Sequence, residues 1–211
     1  MQNPDRLLPS RQLIRQQLDA GKLGDVGLVR IHRWEPRPSQ RASSGLPPSL
    51  WRDLDLALWL VGQSPMQVFA LQTDCGSLGR TVQVHLGFSG GAMALIGYSD
   101  QLPAGDGYQS LTVIGSVGAA YADDHQNRQL VFRGGNAQAV RAEECDEQHS
   151  ARVREFQNSL PMDFSPAELA EVQQVRLVAE AVQQSLDSRQ TVVLAEERPP
   201  SLARRVSEEV A

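Results

Sequence analysis

The chain changes texture twice. Two stretches with helical spacing flank one alternating stretch in the first sixty residues, a series of short alternating runs follows, and helical spacing returns near the C-terminus. Pro9 and Ser10 precede apolar positions at Leu13, Ile14 and Leu18, which predicts an amphipathic helix stopped by Gly21 and Gly24. Val26 to Glu35 alternates, setting Val29 and Ile31 apart from Arg30 and His32, and predicts a strand. Pro36, Pro38 and the Ser/Gly/Pro cluster through Pro48 mark a long loop, read as an excursion near a functional surface or as disorder. Apolar residues at 50, 51, 54, 56, 57, 58, 60 and 61 then predict a largely buried helix over Leu50 to Val61. Its opening carries Asp53 and Asp55, where the helix dipole favours acidic groups.

From Met66 the pattern predicts short strands at Gln67 to Gln72, Thr81 to Phe88, Ala92 to Tyr98, Ser110 to Ile114, Ala119 to Ala122, Leu130 to Arg133 and Gln138 to Arg141. Glycine and aspartate breaks between them suit hairpin turns. Strands this closely spaced imply an antiparallel or mixed sheet, because parallel neighbours need crossovers of about a dozen residues. Helices are predicted again at Ser150 to Leu160 and at Ser165 to Ser188, the second opened by a capping box of Ser165 and Glu168. Leu169, Val172, Val175, Val178, Val182 and Leu186 form its stripe for packing on the sheet. Thr191 to Leu194 reads as a closing edge strand, and residues 195–211 as a mobile or short helical tail. The fold class is α+β with a large, mostly antiparallel sheet.

Composition narrows the function classes. With 41% hydrophobic and 21% charged residues the chain is ordinary for a soluble protein, and no apolar run approaches the roughly 20 residues needed to span a bilayer. A cytoplasmic, non-membrane protein is expected. A net charge of −5 argues against a nucleic-acid surface, which needs clustered cations. Arg11, Arg15, Arg30, Arg33, Arg37 and Arg41 make the first forty residues locally basic, read here as a solvated helix face and an outward strand face. Cys75 and Cys145 have no metal or disulfide-framework spacing and are read as free thiols. His32, His85, His125 and His149 share no spacing that would gather a metal; His125, beside Asp123 and Asp124, suits a polar turn. No nucleophile elbow occurs.

Several phrases, in order, resemble the C-terminal domain of the Gfo/Idh/MocA oxidoreductases. Asp19 to Gly27 resembles that family's helix end and entry to its first C-terminal strand, and Asp53 to Gly62 resembles the helix whose opening carries the catalytic histidine. Gly115 to Gly118 resembles a turn after the middle of the sheet, and Ser185 to Val193 the closing helix and strand. The likeness runs from about residue 3 to 194 and implies one domain over 1–194, with an open-faced sheet, helices on one face, and a homodimer or higher homo-oligomer built through the other. Asn3 to Ser10 resembles the junction with the family's preceding Rossmann domain, so that domain is expected to be absent or supplied separately.

The departures bear on chemistry. The family's Gly-rich phosphate turn and Glu-Lys-Pro segment are missing, so NAD or NADP is expected only through a missing Rossmann partner. Gly115 to Gly118 lacks the three-glycine pattern and is read as a turn or bulge. Where family members place a histidine three residues before the aspartate matching Asp55, and an acidic residue four before that histidine, this chain has Arg52 and Pro48. Arginine stays protonated and cannot shuttle the proton that accompanies hydride transfer, although it can clamp an anion. Arg52, Asp53 and Asp55 are therefore candidate substrate-binding residues, against the plainer reading of an Arg–Asp pair solvating a helix start. Trp51 and Trp59 are read as core packing before a sugar platform. The expectations are thus a degenerate, noncatalytic domain that oligomerises, then the substrate half of a sugar or polyol oxidoreductase, then an anion-binding module.

Overall fold

The computed structural model describes residues 3–38, 45–74, 79–102, 107–123, 128–133, 136–141 and 165–194. A 3-10 turn (Pro4–Leu7) leads into α1 (Pro9–Asp19), β1 (Val26–Pro36) and α2 (Pro48–Val61). Then come β2 (Pro65–Asp74), β3 (Arg80–Phe88), β4 (Met93–Leu102), β5 (Tyr108–Gly115), β6 (Gly118–Asp123), β7 (Arg128–Arg133) and β8 (Asn136–Arg141). Helix α3 (Pro166–Ser188) and the two-residue β9 (Val192–Val193) close the described chain. The predicted strands and the helices around Ile14, Leu54 and Val178 are all present. The helix predicted at Ser150 to Leu160 and the tail at 195–211 lie outside the described residues.

The nine strands form one sheet in the order β8-β7-β6-β5-β1-β4-β3-β2-β9. Only β1 and β4 run parallel; the other neighbours are antiparallel. Helix α2 and the β2–β3 hairpin lie between β1 and β4 in the chain, which supplies the long connection a parallel pair requires.

Strand periodicity then separates two faces. Val29 and Ile31 on β1, Val82, Val84 and Leu86 on β3, Ala94 and Ile96 on β4, and Leu111 and Val113 on β5 are at most 1% exposed and lie beneath the helices. The intervening residues, among them Leu28, Arg30, His32 and Trp34 of β1, occupy the face without helices. Leu50, Leu54, Ala57 and Leu58 recur at helical spacing and bury one side of α2 in the same core. Gly62 ends that helix in the left-handed region at φ 72°, its N–H donating to Leu58 O at 2.8 Å.

Helix α3 begins with the expected capping box, in which the Ser165 hydroxyl accepts from Glu168 N–H and the Glu168 carboxylate accepts from Ser165 N–H. Its stripe is only half used. Val178 and Val182 are buried and Val175 and Leu186 partly so, whereas Leu169 and Val172 are 47% and 44% exposed. The C-terminal half of α3 lies on β2, anchored by Ser185, whose hydroxyl accepts from Ala70 N–H at 2.9 Å and donates to Gln190 O at 2.6 Å. Ser185→Ala leaves the buried Ala70 N–H without that partner. It is expected to lower stability by about 1–3 kcal/mol, read as a lower urea midpoint at unchanged slope.

Candidate functional site

The opening of α2 is where the sequence placed its candidate residues, and the helix distributes them around its circumference. At about 100° per residue, Asp53 and Asp55 project roughly 200° apart. Asp53 shares the buried side with Leu50, Leu54 and Ala57 and is fully buried. Asp55 projects toward the 3-10 turn, where the Arg6 guanidinium grips it with two hydrogen bonds of 2.6 and 2.7 Å. Arg52 remains partly exposed, its Nη1 3.7 Å from Asp5 Oδ1. The three residues therefore enter two separate polar groups.

The first group is centred on Arg33 of β1. Its Nε and Nη2 donate to the two carboxylate oxygens of Asp53 at 2.8 and 2.7 Å, and Nη2 also donates to Asp5. Gln109 of β5 adds a bond from Nε2 to Asp53 Oδ1 at 3.2 Å and accepts from Arg11 Nη2 at 3.0 Å. Asn3 fastens the N-terminal turn to the same place, donating to Arg52 O at 2.7 Å and accepting Asp5 N–H at 3.0 Å.

Burial raises the Asp53 carboxyl above its ordinary value, while the hydrogen bonds and charge of Arg33 pull it down. Burial also opposes the charge on Arg33, but Asp53 and Asp5 outweigh it and hold the guanidinium protonated above its usual range. Nearby, the Tyr98 hydroxyl donates to Glu35 Oε2 at 3.3 Å; burial first, then the charges of Glu35 and Asp100, raise the phenol. The inward carboxylate is thus saturated by donors and sealed from solvent. It can hold a helix in place, but a general base must reach its proton within hydrogen-bonding distance.

Two of the six early arginines correct the solvated-face expectation. Arg11 is fully buried and Arg33 is 8% exposed. The signal was present in the spacing: Arg33 continues the inward parity of Val29 and Ile31, and Arg11 precedes Ile14 by one helical step. Sequence reasoning also missed Asp5, Gln109 and Arg6, which come from distant segments and have no local pattern to announce them.

The second group surrounds Trp59. The Arg6 and Arg15 guanidiniums each lie 5.6 Å from its ring centroid, and Arg15 Nη1 donates to Trp59 O at 2.6 Å. They border a cavity of about 390 Å³ with Ser64, Glu171 and Gln174. Arg6 is bound by Asp55 and Glu171, and Arg15 by Asp19, so its cations are already engaged. Trp51 is 38% exposed, contrary to a packing role in the core.

Gly115 and Gly118 bracket the β5–β6 turn, whose Ser116 and Val117 amides donate to Asp25 O and Leu23 O at 2.9 and 3.0 Å. A Cβ at Gly115 would fall 2.1 Å from Leu23 O. The glycine makes room for the protein's own backbone, and the turn does not fit a dinucleotide phosphate. Among the described residues, no group of three or more His, Cys, Asp or Glu is placed to hold a metal, and no helix is long and apolar enough to cross a membrane. Cys75, Cys145, His125 and His149 lie outside the described residues.

The family profile described as the GFO/IDH/MocA C-terminal domain matches residues 12–121, just over half of the chain. The chain belongs to this family. Solved structures share its fold. An NAD-binding oxidoreductase from Klebsiella pneumoniae superposes with a TM-score of 0.71 at 17% identity, over 93% of this chain and 66% of that one. Levoglucosan dehydrogenase in complex with NADH and levoglucosan gives 0.72 at 14%, over 90% and 65%. UDP-N-acetylglucosamine 3-dehydrogenase from Acidithiobacillus ferrooxidans gives 0.70 at 19%, over 88% and 60%. This GFO/IDH/MocA domain therefore spans less than two thirds of the length of these chains. No curated protein matches its sequence.

The network predicts unequal costs at neighbouring positions of α2. Asp53→Ala strands the Arg33 charge and is expected to destabilise by about 3–5 kcal/mol. Arg52→Ala, removing a long and partly solvated contact, should cost under about 1 kcal/mol. Chemical denaturation of the two variants checks the order; equal midpoints would refute the assignment of Asp53 as the buried anchor.

Proposed function

We propose that this chain is a degenerate, noncatalytic oxidoreductase C-terminal domain that acts by self-association through its open sheet face, as a homodimer or higher homo-oligomer. The observation that carries this reading is the helix-free face itself. Trp34, Leu71, Met93, Ile114 and Tyr121 stand on it between 38% and 50% exposed, one each on β1, β2, β4, β5 and β6. Cross-strand pairing joins two of them through a less exposed residue: Ile114 lies opposite Leu28, and Leu28 opposite Met93. An apolar array spread over adjacent strands marks a surface that becomes covered.

Its size suits a second copy. The six strands from β6 to β2, spaced about 4.8 Å apart with about eight residues rising about 3.3 Å each, project on the order of 650 Å². A standard interface uses roughly 800 Å² per partner. The noncatalytic part rests on the α2 opening, where Arg52 and Pro48 replace a proton-transferring pair and Asp53 is occupied by Arg33.

A second reading is that the chain forms the substrate half of an NAD(P)-dependent sugar or polyol oxidoreductase completed by a Rossmann domain. It draws on the solved neighbours, whose chains are longer and include dehydrogenases complexed with NADH. It would still require another proton donor in place of Arg52.

Sedimentation equilibrium tests the first reading. The wild-type chain is expected above its 23.1 kDa monomer mass, and Met93→Asp with Ile114→Asp is expected to return it to that mass with unchanged far-ultraviolet dichroism. A wild-type monomer at micromolar concentration sinks the proposal. For the second reading the decisive quantity is the denatured mass of the native polypeptide in its source cells: substantially more than 23.1 kDa favours a joined Rossmann domain.

A further inference from the structure

The open face carries a basic centre inside its apolar array. Arg30 and His32 are two residues apart on β1, so both project from this face. Arg30 lies opposite Leu95 of β4 and Thr112 of β5; His32 lies opposite Gly97 of β4 and Ser110 of β5. None of these cross-strand partners carries a negative charge. His85 of β3 occurs beyond Leu95, edge-on to Phe69 with ring centroids 6.3 Å apart.

The neighbourhood of His32 is otherwise uncharged on the elements beside it. Trp34 follows it on β1, Leu95 and Ser99 flank Gly97 on β4, and Tyr108 and Thr112 flank Ser110 on β5. Asp123 of β6 lies beyond Ser110 and accepts from the Tyr108 hydroxyl at 3.3 Å. Tyr121 occupies β6 beyond Thr112. Across β4 the imidazole approaches Gln83: a Cβ built on Gly97 would lie 3.2 Å from His32 Nδ1 and 3.1 Å from the Gln83 amide. The glycine leaves the space in which both side chains lie over the sheet.

Resting on the reading that this face binds a second copy, we infer that the association is acid-labile and that His32 sets its acid limit. Covering the face removes His32 from water and, by the two-fold relation of a homodimer, does so twice. A second cation beside Arg30 then has no solvent to stabilise it, and the carboxylate in its cross-strand row, Asp123, lies two strands away and already accepts the Tyr108 hydroxyl. Already in the single protomer, burial first and the charge of Arg30 second lower the His32 pKa from 6.5. Further burial lowers it more, so separated protomers bind protons more tightly than assembled ones. Linkage gives the sign: association is strongest above the protomer's pKa and weakens as pH falls through it. With one proton per protomer, the dimer constant falls by up to about 100-fold per pH unit at the steepest point.

The experiment is sedimentation equilibrium of the full chain between pH 8 and pH 5 at constant ionic strength, for wild type, His32→Gln and Arg30→Gln. The expected result is a wild-type assembly that dissociates on the acid side, a His32→Gln assembly that persists there, and an Arg30→Gln assembly whose midpoint moves toward lower pH, because the repulsion removed is stronger in the covered face than in the free protomer. Wild type and His32→Gln dissociating together would overturn the inference while leaving self-association intact, as would a wild-type mass constant from pH 8 to pH 5 above 23.1 kDa. A 23.1 kDa species at every pH would remove self-association itself, and the inference with it. If His32→Gln fails to fold by dichroism, the Arg30→Gln midpoint decides: no downward movement refutes the proposed repulsion.

Discussion

The fold turns on one guanidinium. Arg33 has to leave water at the end of an inward-facing strand register, and a desolvated charge of this kind costs several kcal/mol unless its donors are met. Asp53 and Asp5 meet them from separate segments, one from α2 and one from the N-terminal turn. That requirement fixes where both segments lie against β1. The apolar side of α2 contributes burial, but Leu50, Leu54 and Ala57 would tolerate small rotations and slides that a bidentate ion pair does not. The cluster is therefore better understood as a device for specificity of packing than as a large source of net stability.

This arrangement changes what the helix opening can do. In the family resemblance, this position presents a proton-transferring histidine to substrate. Here Arg52 occupies it and the adjacent carboxylate turns inward, so the local electrostatics serve the fit between helix and sheet. The opposite face has the reverse character: large apolar side chains remain accessible, with Arg30 and His32 set among them. One domain thus combines a polar side consumed by internal contacts with an apolar side left available for external ones.

Much of this architecture was legible in the residues. Alternation at Val82 to Leu86 identified an inward row, and Ser165 with Glu168 located the start of α3 within a residue, because these signals depend on neighbours in sequence. The order of strands was not legible, since no local spacing says that β1 pairs with β4 and β5. The polar network was the least legible. Asp53 drew notice as a helix-start acid, yet its partners are Arg33 and Gln109, with Arg33 shared in turn with Asp5, and the chemistry of such a group exists only after the chain has closed. The stripe on α3 illustrates the limit in the other direction: Leu169 and Val172 have the right period, yet among the described residues they stay 47% and 44% exposed.

The place of β1 has a consequence for how the chain acquires its structure. It is the first strand of this sheet to be synthesised and lies between strands on both sides, yet β4 and β5 emerge only after α2 and the β2–β3 hairpin. The β2–β3–β4 meander can form from local contacts, whereas β1 has no adjacent strand in sequence with which to make a hairpin. Long-range pairings of this kind carry an entropic cost before they contribute stability, and they slow folding. During synthesis the strand bearing Arg30, His32 and Arg33 consequently waits, both backbone edges unpaired, until the ribosome has delivered the segment ending near Gly115.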